Sequence, residues 1–178
     1  RLCGVRAADE VVVDFKAKQA NVKSVGRAVI AGSGRVSVTF LSKGSGVTLS
    51  PSKGHWNLDR FVAIAVDVRN TGKGPATVKG ALNDSGWNTS FLHVPAGESD
   101  TMLLYLLRRR KNSDYPFADI FTGMNGMPGG FVSHWASIDP KAVKAISITD
   151  LDGASVGQSI VITGVRGIGQ YGKLAGRS

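Results

Sequence analysis

The sequence predicts an all-β fold, an antiparallel β-sandwich of jelly-roll type with at most one or two short helical turns. Three observations predict it. Apolar and polar residues alternate over many short runs. These runs recur at spacings of ~10–15 residues, as the strands of sandwiches and jelly rolls do. No stretch keeps an amphipathic helical period for three turns.

The strands follow in order. "EVVVDF" (10–15) and "RVSVTF" (35–40) come early, and in the second Val36, Val38 and Phe40 point one way while Ser37 and Thr39 point the other. "FVAIAVDVRN" (61–70) is the strongest. Val62, Ile64, Val66 and Val68 line one of its faces, and Phe61, Ala63 and Ala65 the other, which predicts a central strand with Val38, Val62, Ile64, Val66 and Val68 buried. "ATVKGALN" (76–83) sets Ala76, Val78 and Leu82 against Thr77 and Lys79. "DTMLLYLL" (100–107) is apolar on both faces, and "AISIT" (145–149) and "SIVITGV" (159–165) close the set. The connections "NTGKGP", "NDSG", "PAGESD", "MNGMPGG" and "LDGASVG" supply residues that adopt positive φ or fix it. One short helical turn is predicted at "SIDPKAVKA", with Asp139 as cap and Pro140 at the first helical position. Residues 1–9 read as an N-terminal tail, 10–166 as one β-sandwich domain, and 167–178, ending "GQYGKLAGRS", as a C-terminal tail or linker.

The 178 residues suffice for one domain with a sizeable core. Hydrophobic residues make up 42% and charged residues 20%, a globular composition, and no apolar run approaches the roughly 20 residues of a membrane helix. Cys3 is the single cysteine, so one chain holds neither a disulfide framework nor a thiolate zinc site. The net charge of +9 points to an anionic partner. Arg108-Arg109-Arg110-Lys111 is the one dense basic run, read either as a solvated loop or as an anion-binding strip. Basic residues interleaved with stacking aromatics along one face, as nucleic-acid proteins carry them, are not seen.

Catalytic patterns are missing. Sugar hydrolysis needs two carboxylic acids across a cleft. The chain has two glutamates, Glu10 and Glu98, the second in the turn "PAGESD", and Asp14, Asp59 and Asp67 lie in or at strands with no pairing visible. His55, His93 and His134 have no ligand spacing, and no metal site is predicted. "GIGQYG" (167–172) matches a dinucleotide fingerprint literally but lacks the helix and the acid ~20 residues on that such a site requires.

The aromatics carry the positive signal. Trp56, Trp87 and Trp135 all flank turn-rich segments. A tryptophan there either plugs the loop or presents its face to the apolar C–H face of a sugar ring, while neighbouring Asn, Asp and His bind hydroxyls. Trp87 in "NDSGWNTS" sits among Asn83, Asp84 and Asn88, which offer donors and acceptors. Trp135 follows His134. Trp56 precedes the two-faced strand and is expected in the core.

The order of motifs resembles a known family. Trp56-Asn57-Leu58-Asp59 leads into a strand ending Asn70-Thr71-Gly72. Pro95-Ala96-Gly97-Glu98-Ser99 leads into the next strand, and Gly123-Met124-Asn125-Gly126-Met127-Pro128-Gly129 precedes the Asp139-Pro140 turn. This is similar to the carbohydrate-binding-like, galactose-binding-like jelly-roll domain that precedes the catalytic barrel of β-agarases and related glycoside hydrolases, over residues 10–166. The resemblance implies a non-catalytic module that binds or helps position a galactan-type polysaccharide, agar or a relative, beside a catalytic glycoside hydrolase domain, in a secreted or periplasmic protein. It makes Met124, Asn125 and Met127 an interface or rim loop. Many relatives place acids for a structural calcium at the first and last strands. The matching positions here, Asp14-Phe15-Lys16 and Thr163-Gly164, have lost an acid and gained an ammonium, so no cofactor or metal is expected. Two other readings stay open: a domain that braces a barrel and binds no sugar, and a basic module for sulfated polysaccharide or, less in keeping with the sequence, nucleic acid. A membrane partner is not implied.

Overall fold

The computed structural model describes residues 9–17, 20–32, 34–83, 89–106, 131–134 (backbone only) and 138–169. The strands are β1 (Glu10–Val13), β2 (Ala20–Val25), β3 (Ala28–Ala31), β4 (Val36–Phe40), β5 (Gly46–Pro51), β6 (Ala63–Asn70), β7 (Ala76–Leu82), β8 (Thr89–Val94), β9 (Ser99–Tyr105), β10 (Phe131–His134), β11 (Ile146–Asp150) and β12 (Ser159–Ile168). They form two antiparallel sheets. One runs β3-β4-β12-β6-β9, with β1 also paired to β12, and the other runs β10-β8-β7-β11-β5-β2. Consecutive strands such as β4 and β5, β6 and β7, β8 and β9, or β11 and β12 lie in opposite sheets, the crossing pattern of a jelly-roll sandwich.

The core lies between the sheets because each strand's apolar set falls on one face. Phe40, Leu49, Ile64, Leu82, Met102, Leu104, Ile146, Ile148, Ile160 and Ile162 are fully buried, each contributing about 1.5–3 kcal/mol by transfer. Gly80 faces inward, against side chains of the opposite sheet. A Cβ there would stand 2.2 Å from Met102 Sδ and 2.8 Å from Leu104 Cδ2. Gly80 is therefore a packing glycine, and it orients its strand: Val78, Gly80 and Leu82 point in, Thr77, Lys79 and Ala81 out.

The two-faced strand is interior as predicted, with β12 on one side and β9 on the other. Val38, Ile64, Val66 and Val68 are buried. Val62 differs: it is half-buried, and it precedes the first ladder pair of β6, although its N–H donates to the Ile168 carbonyl at 2.9 Å and its carbonyl accepts from the Leu106 N–H at 3.0 Å. Asp139 caps a single 3₁₀ turn at Pro140–Ala142 and accepts from the Lys141 N–H at 2.9 Å. The literal fingerprint fails structurally as well, since Gly167 and Ile168 belong to β12, which runs two residues past the expected boundary at 166.

Candidate functional site

Most residues that the sequence singles out lie outside the described residues: Asp84, Trp87, Asn88, Arg108, Arg109, Arg110, Lys111, Met124, Asn125, Met127 and Trp135. His134 ends β10, where the backbone alone is described. The attachment points of these segments are defined. His134 pairs with Thr89, the first residue of β8, and Thr89 pairs with Ala81 near the end of β7. The segments carrying Trp87-Asn88 and Trp135 therefore join the sheet at register partners. Asn83, directly after β7, adjoins the same end.

Asn83 is exposed, but it has a structural task. Its backbone is left-handed (φ 55°), and its Oδ1 accepts from the N–H groups of Lys144 (2.6 Å) and Ala145 (3.3 Å). Its acceptor is thus spent on tying β7 to the approach of β11. Trp56 also departs from expectation. It packs against the core yet stays half-buried. Its backbone forms an isolated bridge with Val143 (N to O 2.8 Å, reciprocal 3.2 Å). Trp56 is a lid on the core edge because it sits in the crossing between β5 and β6, outside both sheets.

On the outer face of the β7 sheet, Phe91, Lys79 and Thr149 stand side by side across β8, β7 and β11. They line a cleft of about 420 Å³, completed on one wall by Lys43, Gly44, Asp150 and Asp152. Asp150 is 3% exposed and accepts from the backbone N–H groups of Gly44, Gly153 and Ser155. That compensation makes a buried carboxylate tolerable and fixes the wall's shape. Asp152, another left-handed residue, pairs with Lys43 at 3.3 Å. Lys79 is half-buried, and its ammonium has no hydrogen bond or ion pair among the described residues. The sequence showed Lys79 on a polar strand face but not that Phe91 and Thr149 flank it, since strand neighbours are not encoded in local alternation.

The outer face of the β12 sheet has a second cleft, of about 620 Å³. Asp14, Lys16, Thr163 and Gly164 line it, so the first-strand and last-strand positions do meet. Asp67 and Arg166 dominate it. The Arg166 guanidinium donates to Asp67 Oδ2 at 3.0 Å and Oδ1 at 2.8 Å, the Thr101 hydroxyl adds a bond at 2.8 Å, and Arg166 also holds Asp9. Gly164 sits at a bulge in β12, where a Cβ would approach Asp67 Oδ2 to 2.9 Å. Burial pushes the Asp67 carboxyl up, but the bonds from Arg166 and Thr101 outweigh this and hold it below the usual carboxylate range. Asp14 Oδ1 is likewise spent, on the N–H groups of Lys16 (2.8 Å) and Ala17 (3.2 Å). These residues do not fit a calcium ion: the oxygens are engaged, and Arg166 and Lys16 place positive charge where hard oxygen donors are needed. Among the described residues no group of three or more His, Cys, Asp or Glu is placed to hold a metal.

No protein-family model and no curated protein matches the sequence. Solved structures do. An agarase superposes with a TM-score of 0.62 at 10% identity over 90% of this chain and 24% of its own. An exo-β-agarase superposes with 0.59 at 15% identity over 88% and 25%. A family 11 carbohydrate-binding module from Clostridium thermocellum, in complex with a β-1,3-1,4-mixed-linked tetrasaccharide, gives 0.50 at 18% identity, covering 91% of this chain and 96% of the module. The chain spans about a quarter of the length of these agarases. It has the β-sandwich fold that agarase chains contain as one part and that carbohydrate-binding modules adopt as a whole.

Proposed function

We propose that the chain is a non-catalytic carbohydrate-binding module associated with an agarase-type glycoside hydrolase, secreted or periplasmic, that binds or positions a galactan-type polysaccharide such as agar. One observation carries this reading: Asn83, Thr89 and His134 adjoin one end of the β7 sheet. The segments bearing Trp87, Asn88 and Trp135 therefore attach beside Asn83, and in this reading their aromatic and hydrogen-bonding side chains serve one common site. The likeness to agarase chains and to a saccharide-bound module supports the choice of ligand class. Trp87 and Trp135 are the stacking residues of this reading, with Asn83, Asp84, Asn88 and His134 as their polar neighbours. Met124, Asn125 and Met127 form its rim towards a catalytic domain.

The non-catalytic reading draws support from the chemistry at Asp67. A carboxylate locked to a guanidinium and held in its ionised form is a poor general acid near neutral pH. Calorimetric titration with neutral agarose oligosaccharides tests the proposal. Trp87→Ala should cost about 1–3 kcal/mol of affinity, by analogy with base stacking on aromatics, with little change in melting temperature. An early melt with unchanged affinity would make Trp87 a plug. Release of reducing sugar that one carboxylate substitution abolishes would overturn the non-catalytic reading.

A further inference from the structure

The charged groups that line the β7-sheet cleft, Lys43, Lys79, Asp150 and Asp152, are two of each sign, but they are not all engaged. Asp150 keeps its charge with its oxygens occupied by three backbone N–H groups, and Asp152 pairs with Lys43. Lys79 remains as a half-buried ammonium with no ion pair among the described residues. It rises from an interior strand, flanked by Thr149 on β11 and Phe91 on β8, so its stem is fixed by the sheet rather than by a loop. A partly desolvated ammonium with unused donors favours an oxyanion. The volume of about 420 Å³ is that of a small-ligand site. The chain's net charge of +9 draws anionic polymers towards it.

We propose that this cleft binds a negatively charged substituent of a saccharide chain, a sulfate ester or a carboxylate, with Lys79 as the residue that recognises the charge and Thr149 as a neighbouring hydroxyl. The proposal rests on the carbohydrate-binding reading and deepens it. The chain would prefer an acidic galactan over a neutral one, and the preference would reside in Lys79 rather than in the basic run Arg108 to Lys111. The Lys43–Asp152 pair, exposed on both sides, forms the opposite wall and keeps Asp152 from repelling the anion.

The test compares four probes at low and high salt: neutral agarose oligosaccharides, the sulfated galactan κ-carrageenan as oligosaccharides, oligogalacturonate as the carboxylated arm, and a single-stranded oligonucleotide. The wild-type protein should bind the sulfated or the carboxylated saccharide more tightly than agarose, and the stronger of the two identifies the oxyanion. Lys79→Gln should remove this preference, weakening the acidic ligand roughly tenfold, the size of one charge-assisted hydrogen bond. It should leave agarose affinity and melting temperature unchanged, and Lys79→Arg should restore most of the preference. Equal affinity for neutral and acidic galactans, or a preference that survives Lys79→Gln, overturns the proposal while the carbohydrate-binding reading stands. Binding to no saccharide overturns both. Tightest binding to the oligonucleotide, lost in Lys79→Gln, also overturns it, in favour of a nucleic-acid ligand.

Discussion

The outer faces of the two sheets treat charge in opposite ways. On the β12 sheet, Asp67 sits across a bulge from Arg166, and every donor and acceptor named there is matched: two guanidinium bonds, a threonine hydroxyl, and Asp9 on the far side of the arginine. On the β7 sheet, Lys79 stands between Thr149 and Phe91 without an ion pair among the described residues. The first arrangement ties β6, β9 and β12 to Asp9, the residue before β1, and its own groups are spent; the Lys16 ammonium that lines the same cleft lies outside it and is exposed to water. The second contributes little to the fold and keeps its hydrogen-bonding capacity. A cleft lined by charge is therefore not by itself a binding site; what matters is how much of that charge the protein has already used. By that measure the larger cleft is a clasp, and the smaller one is the better candidate.

Breaking the clasp should have the largest effect. Asp67→Ala leaves Arg166 with only Asp9, and should cost about 1–3 kcal/mol, less than the 3–5 of a fully buried pair because both side chains keep some contact with water. The double variant Asp67→Ala/Arg166→Met should recover part of that loss, since it strands no charge, and chemical denaturation of the two variants measures the difference. The pH dependence follows from the direction of the Asp67 shift. Its folded pKa lies below the unfolded value near 4, so its contribution is fully present above about pH 4 and disappears as pH falls through the folded value. Melting temperatures of the wild type should therefore drop more steeply below pH 4 than those of Asp67→Asn. Parallel curves would show that the pair does not stabilise the fold.

Trp56 tests the boundary between the two faces, in the chain's crossing from β5 to β6. Because it is half-buried, Trp56→Ala should cost about 2 kcal/mol, below the roughly 3–5 of a wholly buried aromatic. The bridge to Val143 is made by backbone atoms and should persist in the variant. A thermal melt decides it. A loss near the upper end of the buried range would place the indole functionally in the core, as the sequence alone suggested.

Much of the fold was legible because β6, β7, β9, β11 and β12 are long, alternating or doubly apolar, and bounded by turn residues. Asp139-Pro140 was legible because capping is a local interaction. The strands that sequence reasoning missed are of another kind. β2 is exposed along four of its six residues, and β3 and β10 have only four residues each, so none shows a strong apolar period. β5 and β8 were hidden beside glycine-rich and turn-rich stretches, although Val47, Leu49, Leu92 and Val94 are buried. The candidate site was less legible for a deeper reason. Lys79, Phe91 and Thr149 are far apart in sequence and become neighbours only through strand order, just as Asp67 meets Arg166 across 99 positions. Asn83 shows the converse limit: the sequence marks a polar residue in a turn, but not that its oxygen serves the backbone and leaves only its amide donor for a ligand.

Asn83 offers the smallest effect and the finest discrimination, because it borders the proposed sugar edge yet behaves like a member of the closed face. Two properties hold it in place: a left-handed backbone that asparagine tolerates better than most residues, and an oxygen that satisfies the N–H groups of Lys144 and Ala145. Substitutions separate them. Asn83→Gly keeps the backbone freedom and loses the acceptor, so it should cost a few tenths of a kcal/mol. Asn83→Ala loses both and should cost about 1 kcal/mol. Asn83→Asp keeps both, at slight cost, while replacing the amide donor with a second acceptor. Agarose affinity then assigns the role. If Asn83 contributes its amide to sugar, Asn83→Asp weakens binding although the protein melts normally. If its part is structural, affinity in Asn83→Asp equals that of the wild type, and polar recognition at that edge falls to Asp84, Asn88 and His134.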